Sequence, residues 1–198
     1  MPKNVAILIF DAVEVLDFAG PFEIFSVAGG RDATPAPFNT YTVAQTAGPI
    51  TARNGLVVTP HHPIHACPPP DIVLIPGGFG ARDAMKNPVI LDWVTRTHAS
   101  SELTLSVCTG SLILGAAGLL DGLNSTTHHG AYELLESVAP KTSVIRGVRF
   151  VDNGKVVTSA GVQAGMDMAL HVVARSLGLA AAEETARYIE YDWRTSEH

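Results

Sequence analysis

Short, strongly apolar runs separated by helical segments are the feature that most constrains how this chain folds. The run Val5–Phe10 is wholly apolar, Asp71–Pro76 has a single charged residue at its start, and Leu103–Val107 has none. Strands that are buried on both faces have such runs, whereas half-exposed strands alternate polar with apolar residues. Because helical patterns lie between the runs, the order predicts an α/β fold with a mostly parallel sheet and helices on both faces.

Periodicity and turn residues place the other elements. Alternation predicts a strand at Phe38–Ala44, and the turn at 152–154, Asp-Asn-Gly, predicts a hairpin between Val148–Val151 and Val156–Thr158. The stretch from Gly48 to Pro70 is rich in Pro, Gly and His, which predicts loops with one or two short strands around Leu56–Thr59. Helices are predicted at Phe18–Ala28, Pro88–Ala99, Gly110–Leu120, Ala131–Val138, Gln163–Leu177 and Ala181–Tyr191.

Composition narrows the classes of function. The formal net charge of −6 opposes non-specific binding to nucleic acid, which requires a basic surface. No apolar run approaches the roughly 18 residues of a membrane-spanning helix, and the first run is too short for a signal peptide. The length of 198 residues predicts one domain over 1–198. We therefore expect a cytoplasmic protein with a small-molecule substrate and no nucleic-acid or membrane partner.

The two cysteines, Cys67 and Cys108, lie in different contexts. A chain without an export signal is expected in a reducing compartment, which predicts that both are free thiols. Cys67 follows His61, His62 and His65 in a proline-rich stretch whose spacing matches no recognised zinc pattern. We therefore expect no metal site there.

Cys108 lies where a buried strand ending at Val107 meets a helix of small residues that begins at Gly110. A cysteine at a helix N-terminus is close to free N–H groups and to the positive end of the helix dipole, which lower its pKa. Gly110 permits a sharp turn similar to the one that carries the nucleophile of serine hydrolases. On this segment alone, a buried cysteine that only fills space is an equally good interpretation.

Two segments supply candidate partners for this thiol. Gly77 and Gly78 follow a buried strand, and with the N–H of Thr109 their backbone N–H groups are candidates for an oxyanion hole. An ordinary glycine turn is the alternative. Asp17 and Glu23 follow the first strand, so one or both carboxyls can transfer protons at the thiol. The alternatives are a helix N-cap for Asp17 and a solvated helix position for Glu23.

His128 lies in the stretch Thr-Thr-His-His at 126–129. A histidine near a cysteine suggests a catalytic dyad. Nothing in the spacing brings His128 next to Cys108, however, so a structural histidine remains the alternative.

Five segments together resemble a known family. They are the stretch containing Asp17 and Glu23, Pro-Gly-Gly-Phe-Gly at 76–80, Val-Cys-Thr-Gly-Ser at 107–111, the stretch 126–129, and Ser-Ala-Gly-Val-Gln-Ala-Gly-Met-Asp at 159–167. In this order they resemble the DJ-1/PfpI superfamily over nearly the whole chain. Within it, residues 106–120 are most similar to the isonitrile hydratase subgroup. The resemblance implies a flavodoxin-like three-layer sandwich, a homodimer, and a catalytic cysteine with no metal and no organic cofactor.

The resemblance also assigns roles to residues. It implies that Cys108 is the nucleophile, that Asp17 is its acidic partner, and that Thr109 is the threonine following the nucleophile in isonitrile hydratases. Thr109 stands where PfpI-type peptidases have histidine, which counts against a peptidase dyad. His129 stands where isonitrile hydratases usually have tryptophan, which affects the shape of the pocket. The candidate substrate and oxyanion contacts are Gly77, Gly78, His128 and Glu23.

The function that the resemblance implies is hydration of an isonitrile to an N-substituted formamide through a thioimidate on Cys108. One alternative is a glyoxalase-type activity on small 2-oxoaldehydes, for which relatives use a cysteine and a glutamate. A second is a redox or stress sensor whose Cys108 is oxidised to a sulfinic acid. AraC-type transcription regulators share part of the pattern but carry a DNA-binding half, for which a chain ending at His198 leaves no room.

Overall fold

A seven-stranded sheet forms the centre of the protein. The computed structural model describes residues 1–30 and 33–193. The strands are β1 (Lys3–Leu8), β2 (Phe38–Ala44), β3 (Ile50–Thr51), β4 (Val57–Val58), β5 (His62–Pro63), β6 (Ile72–Ile75), β7 (Leu103–Val107), β8 (Asn124–Ser125), β9 (Ser143–Val144), β10 (Phe150–Asp152) and β11 (Val156–Ser159). The central sheet has the order β10-β11-β7-β6-β1-β2-β5, and its pairs are parallel except for the hairpin β10–β11.

Helices cover the sheet in two groups. They are α1 (Val15–Ser26), α2 (Ala81–Ala84), α3 (Pro88–Ser100), α4 (Gly110–Ala116), α5 (Tyr132–Val138), α6 (Ala164–Leu177) and α7 (Leu179–Tyr188). Helices α1, α6 and α7 pack together, with α1 on β1 and β2 and α6 on β7, β10 and β11. Helices α2, α3 and α5 pack around α4, which contacts β6 and β7. This is the α/β flavodoxin-like sandwich that was expected.

The buried strands follow from their sequences. Every residue of β6 and β7 is buried, as are the last four residues of β1, because aliphatic side chains on both faces are covered by helices. The bounds of β2 and β7 are those that the sequence predicts, and the late hairpin is confirmed. No helix within the described residues is long and apolar enough to cross a membrane.

Three helices differ from their predicted bounds by more than one residue. Helix α7 spans Leu179–Tyr188, where Ala181–Tyr191 was predicted. Helix α1 begins at Val15 and not at Phe18, so Asp17 lies in its first turn and is not an N-cap. Helix α4 ends at Ala116, four residues earlier than predicted, and the chain turns at Gly118 with a φ of 73°. A left-handed conformation of this kind ends a helix and suits glycine.

The histidine-rich stretch is held by packing. His61 stacks on Phe22 with ring centroids 6.0 Å apart, and His62 contacts the edge of Tyr41 at 5.3 Å. Cys67 is a free thiol that donates to the carbonyl of Ile64. Within residues 1–30 and 33–193, no group of three or more His, Cys, Asp or Glu residues is placed to hold a metal ion.

Candidate active site

Cys108 occupies the turn between β7 and α4 in a left-handed conformation, with a φ of 56°. Such a conformation in a residue other than glycine costs about 1–3 kcal/mol and persists only where surrounding contacts impose it. The Cys108 N–H donates to the carbonyls of Ser159 and Ala160, at 3.2 and 3.1 Å. Its carbonyl accepts from the hydroxyls of Thr127 and Ser111, at 2.9 and 3.2 Å. Hydrogen bonds to both the N–H and the carbonyl of Cys108 therefore fix the turn.

Gly110 is required because the chain passes very close to the neighbouring strand. A Cβ at position 110 would lie 2.0 Å from the carbonyl oxygen of Ile75, the last residue of β6. The sequence predicts that Gly110 permits the sharp turn. In the structure the left-handed residue is Cys108 itself, and Gly110 provides the space that lets α4 begin against β6.

Asp17 lies behind Cys108 and is fully buried. Its Oδ2 accepts from the N–H of Gly77 at 3.0 Å. Burial raises the pKa of Asp17 to about 7, and the negative charge of Glu14 adds to this effect. The Gly77 N–H and the Cys108 thiol both interact with the carboxyl and lower its pKa in part. Residue 17 can therefore hold or release a proton near neutral pH.

The pKa of the Cys108 thiol is raised, whereas its position at a helix start was expected to lower it. Burial, with 6% of the residue exposed, and the adjacent Asp17 raise the pKa of Cys108 to about 12. The Thr109 N–H and hydroxyl and the Val162 N–H interact with the sulfur and lower the pKa, but they do not outweigh the two larger effects. The seven residues of α4 make only a short helix, so its dipole is small.

The predicted oxyanion hole is not available from the two glycines. The Gly77 N–H donates to Asp17, and the Gly78 N–H donates to Oγ1 of Thr109 at 3.0 Å. The Thr109 hydroxyl in turn donates to the carbonyl of Gly78 at 3.0 Å. The prediction was wrong in this respect, because these N–H groups hold the acid and the threonine in position. The N–H groups that interact with the sulfur are those of Thr109 and Val162.

A cavity of about 260 Å³ opens above the sulfur. Its wall includes four of the residues singled out from the sequence, namely Cys108, Thr109, Gly78 and His128. Glu23 is exposed on α1 and is not part of the wall, so its predicted contact with substrate is corrected. The carboxylate in the wall is Glu14 instead. The other lining residues are Arg53, Phe79, Arg82, Gly130 and Val162.

Sequence reasoning missed most of these lining residues. Phe79 belongs to the glycine-rich segment 76–80, and Arg82 follows it closely, so this segment carried a usable signal. Arg53 comes from a short 3-10 turn between β3 and β4, and Val162 has a φ of 49°. No sequence pattern indicated Arg53. Val162 lies in the segment 159–167 that contributes to the family resemblance, but no role was assigned to it from the sequence.

His128 forms one wall of the cavity but is not joined to the cysteine. Its Nδ1 accepts from the N–H of Gly130 at 3.1 Å, and a Cβ at Gly161 would lie 2.4 Å from its ring. Burial and the positive field of His129 and Arg82 lower its pKa. Among the described residues no hydrogen bond joins His128 to Cys108, so the structure contains no cysteine–histidine dyad at this turn.

Fold and site define an α/β sandwich protein whose buried cysteine, at the turn after a central strand, is paired with a buried carboxyl. The chain belongs to the DJ-1/PfpI family, whose model matches residues 3–175.

Three relatives illustrate the range of this family. An isonitrile hydratase from Pseudomonas putida is 32% identical over 191 residues, covering 96% of this chain and 79% of the relative. The crystal structure of a ThiJ/PfpI family protein from Pseudomonas syringae superposes with a TM-score of 0.87 at 30% identity, covering 98% of this chain and 77% of that one. The HTH-type transcriptional regulator CdhR from Pseudomonas aeruginosa is 26% identical, covering 90% of this chain and 52% of the regulator.

Proposed function

We propose that this protein hydrates an isonitrile to an N-substituted formamide, with Cys108 as nucleophile and Asp17 as proton carrier. The observation that carries the proposal is the buried thiol beside a carboxyl whose pKa is raised to about 7. At neutral pH and above, this pair holds one proton between two groups. The similarity to the P. putida isonitrile hydratase supports the choice of substrate class.

The first step uses this shared proton. The isonitrile carbon has a lone pair and must be protonated as a nucleophile adds to it. Ionised Asp17 accepts the thiol proton, Sγ of Cys108 bonds to the terminal carbon, and Asp17 then delivers the proton to that carbon. The product is a thioimidate, R–N=CH–S–Cys, with Asp17 ionised again. A thiol with a pKa of about 12 is a poor nucleophile until a base removes its proton, so the carboxyl is essential.

The second step releases the product. Asp17 removes a proton from water as the water oxygen attacks the thioimidate carbon, and passes that proton to the substrate nitrogen, which gives R–NH–CH(OH)–S–Cys. Asp17 then takes the hydroxyl proton as this adduct collapses, the C–S bond breaks, and Asp17 returns that proton to the sulfur. One isonitrile and one water give one N-substituted formamide. The Thr109 and Val162 N–H groups face the departing sulfur and stabilise its negative charge.

Replacement of the nucleophile tests this function. Cys108→Ala is expected to abolish hydration of cyclohexyl isocyanide, followed as formamide production by NMR. Cys67→Ser is the matched control, since Cys67 is the other thiol, donates to the carbonyl of Ile64 and does not line the cavity. Detection of a thioimidate mass on Cys108 after acid quench would add direct support. Equal turnover by Cys108→Ala and the parent protein would refute the proposal.

The same assay separates the other functions. Glyoxalase-type activity would consume methylglyoxal and leave the isonitrile intact. A sensor would turn over neither compound and would show selective oxidation of Cys108 by mild peroxide. Burial and the raised pKa of Cys108 both oppose rapid oxidation, because the thiolate is the reactive form.

We also infer the oligomeric state and the cellular location of the protein. We infer a homodimer from the family resemblance, and analytical ultracentrifugation would give twice the mass of the chain if this is right. Two unpaired thiols suit a reducing compartment such as the cytoplasm, which cell fractionation would test.

A further inference from the structure

Two arginines and an aromatic ring lie together at the mouth of the Cys108 cavity. The guanidinium carbon of Arg53 lies 4.4 Å from the ring centroid of Phe79, and that of Arg82 lies 5.6 Å from it. Both distances are within the range of a cation–π contact. Phe79 is 59% exposed, so the ring and both cations are accessible from the opening.

The charges at this mouth do not balance. Arg53 is paired with Glu14, with Nη1 and Oε2 3.0 Å apart. Besides the Phe79 ring, Arg82 contacts the carbonyl of Gly78 through its Nη1 at 3.5 Å, and no carboxylate within residues 1–30 and 33–193 forms an ion pair with it. Of the charged residues that line the cavity, Glu14 offsets one arginine, and the charge of Arg82 remains.

The positive field also reaches the opposite wall. Burial is the main reason that the pKa of His128 is lowered, and the charges of His129 and Arg82 lower it further, whereas Glu14 raises it and Arg53 has the smallest lowering effect. His128 lines the same cavity as both arginines. An anionic group between Phe79 and His128 would therefore meet a cation and no competing unpaired carboxylate among the lining residues.

We propose that Arg82, assisted by Arg53, binds a carboxylate on the substrate, so that the preferred substrate is a small isonitrile that carries a carboxylic acid. This proposal rests on the proposed hydration for its isonitrile part, whereas the anion site stands on the arginines alone. The cavity of about 260 Å³ limits the size of the substrate. It is slightly smaller than the roughly 300–1,000 Å³ typical of ligand pockets, which suits a small substrate.

Alkylation of Cys108 tests the anion site without requiring turnover. Iodoacetate and iodoacetamide both form a C–S bond at the sulfur and release iodide and the thiol proton, but only iodoacetate carries a negative charge. The rate ratio of the two reagents at Cys108, located by peptide mass spectrometry, cancels the intrinsic reactivity of the thiol. The ratio for the unfolded chain in urea gives the reference.

The native protein is expected to raise the iodoacetate-to-iodoacetamide ratio by roughly 10- to 100-fold over the reference, the range for a hydrogen bond to a charged group. Arg82→Gln should lose most of this increase, and Arg82→Lys should keep part of it because the charge remains. Arg96→Gln is the control, since Arg96 is exposed and paired with Asp92 on α3. A ratio in folded Arg82→Gln equal to that of the parent would overturn the anion site.

Turnover of isocyanoacetate and its methyl ester then tests the substrate class. The parent protein is expected to prefer the acid over the ester in kcat/KM by about tenfold or more, with a smaller preference at high salt and in Arg82→Gln. A parent that prefers the ester would overturn the proposed substrate class. An Arg82-dependent alkylation ratio without turnover of either isonitrile would refute the hydratase function while leaving the anion site standing.

Discussion

At the scale of single residues, the chemistry depends on one buried pair that holds one proton over a wide pH range. Burial raises the pKa of Asp17 to about 7 and that of Cys108 to about 12. Because the two groups interact, the first proton lost near neutrality leaves the pair with a single negative charge. A thiol and carboxylate can then exchange their remaining proton as substrate approaches, which is what addition to an isonitrile requires.

The first residue-scale prediction concerns the pH dependence of the reaction. The value of kcat/KM for isonitrile hydration should rise as pH increases through about 7 and then stay level, because ionised Asp17 is the base. Asp17→Asn should lose roughly 10²- to 10⁴-fold in rate, since an amide neither accepts nor releases a proton near neutral pH. Initial rates between pH 5 and 9 provide the measurement. A profile without a rise near neutrality would show that Asp17 is not the base.

The same carboxyl is predicted to cost stability. Its folded pKa of about 7 is above the ordinary value of 3.8, so the folded state binds the proton more tightly. The resulting stability is present below the unfolded pKa and is lost as pH rises through 7, a loss of roughly 4 kcal/mol for about three pH units. Asp17→Asn should therefore be more stable than the parent at pH 8. Urea unfolding should show the two proteins converging near pH 4.

At the scale of elements, the site lies where the C-terminal ends of four strands come together. Cys108 follows β7, Gly77 follows β6, Glu14 follows β1, and Ala160 follows β11. In a parallel sheet these ends lie along one edge, which is why residues distant in sequence converge there. The close passage of α4 over β6 is possible only because residue 110 has no side chain.

Gly110→Ala is predicted to damage both stability and the site. Its Cβ would lie 2.0 Å from the carbonyl oxygen of Ile75, a backbone atom that cannot move alone. The free energy of unfolding should fall by roughly 3 kcal/mol or more, and activity should fall in the protein that remains folded. Gly48→Ala is the matched control, because its Cβ would have no contact closer than 3.8 Å. Urea denaturation of both variants measures the difference in stability. Equal midpoints would contradict the packing argument.

At the scale of the whole molecule, a buried ionic network ties the sheet edge to the helices. Asp167 on α6 is fully buried, pairs with Arg149, and accepts a hydrogen bond from the hydroxyl of Tyr191. The Arg149 carbonyl accepts from the N–H of Ala160, whose own carbonyl holds the N–H of Cys108. The network thereby supports the loop against which the nucleophile turn rests.

Arg149→Met should therefore strongly destabilise the protein, although Arg149 lies outside the cavity above the sulfur. Removing one partner of a buried pair leaves an uncompensated charge, and we expect a loss of about 3–5 kcal/mol in unfolding free energy. Arg96→Met, which breaks an exposed pair with Asp92, should cost no more than about 1 kcal/mol. Parallel urea titrations compare the two. Similar small losses would show that the network contributes little.

Much of the fold was predictable because its determinants are local. The apolar runs specify β1, β6 and β7, and the Asp-Asn-Gly turn specifies the hairpin β10–β11. The start of α1 was misplaced because the helix has no side-chain cap at Glu14, the signal that would have marked it. The short strands between Ile50 and Pro63 were placed only approximately, since they are two residues long and depend on tertiary pairing.

By itself the sequence determined the parallel sheet, the position of Cys108 at a turn after β7, and the order of the segments that carry the site. Those features depend on residue type and on spacing along the chain. Only the tertiary structure decided the raised pKa values of Cys108 and Asp17, the engagement of the Gly77 and Gly78 N–H groups, and the presence of Arg82 at the cavity mouth. Burial and charge act through space, and the sulfur and its carboxyl partner are 91 positions apart in the sequence.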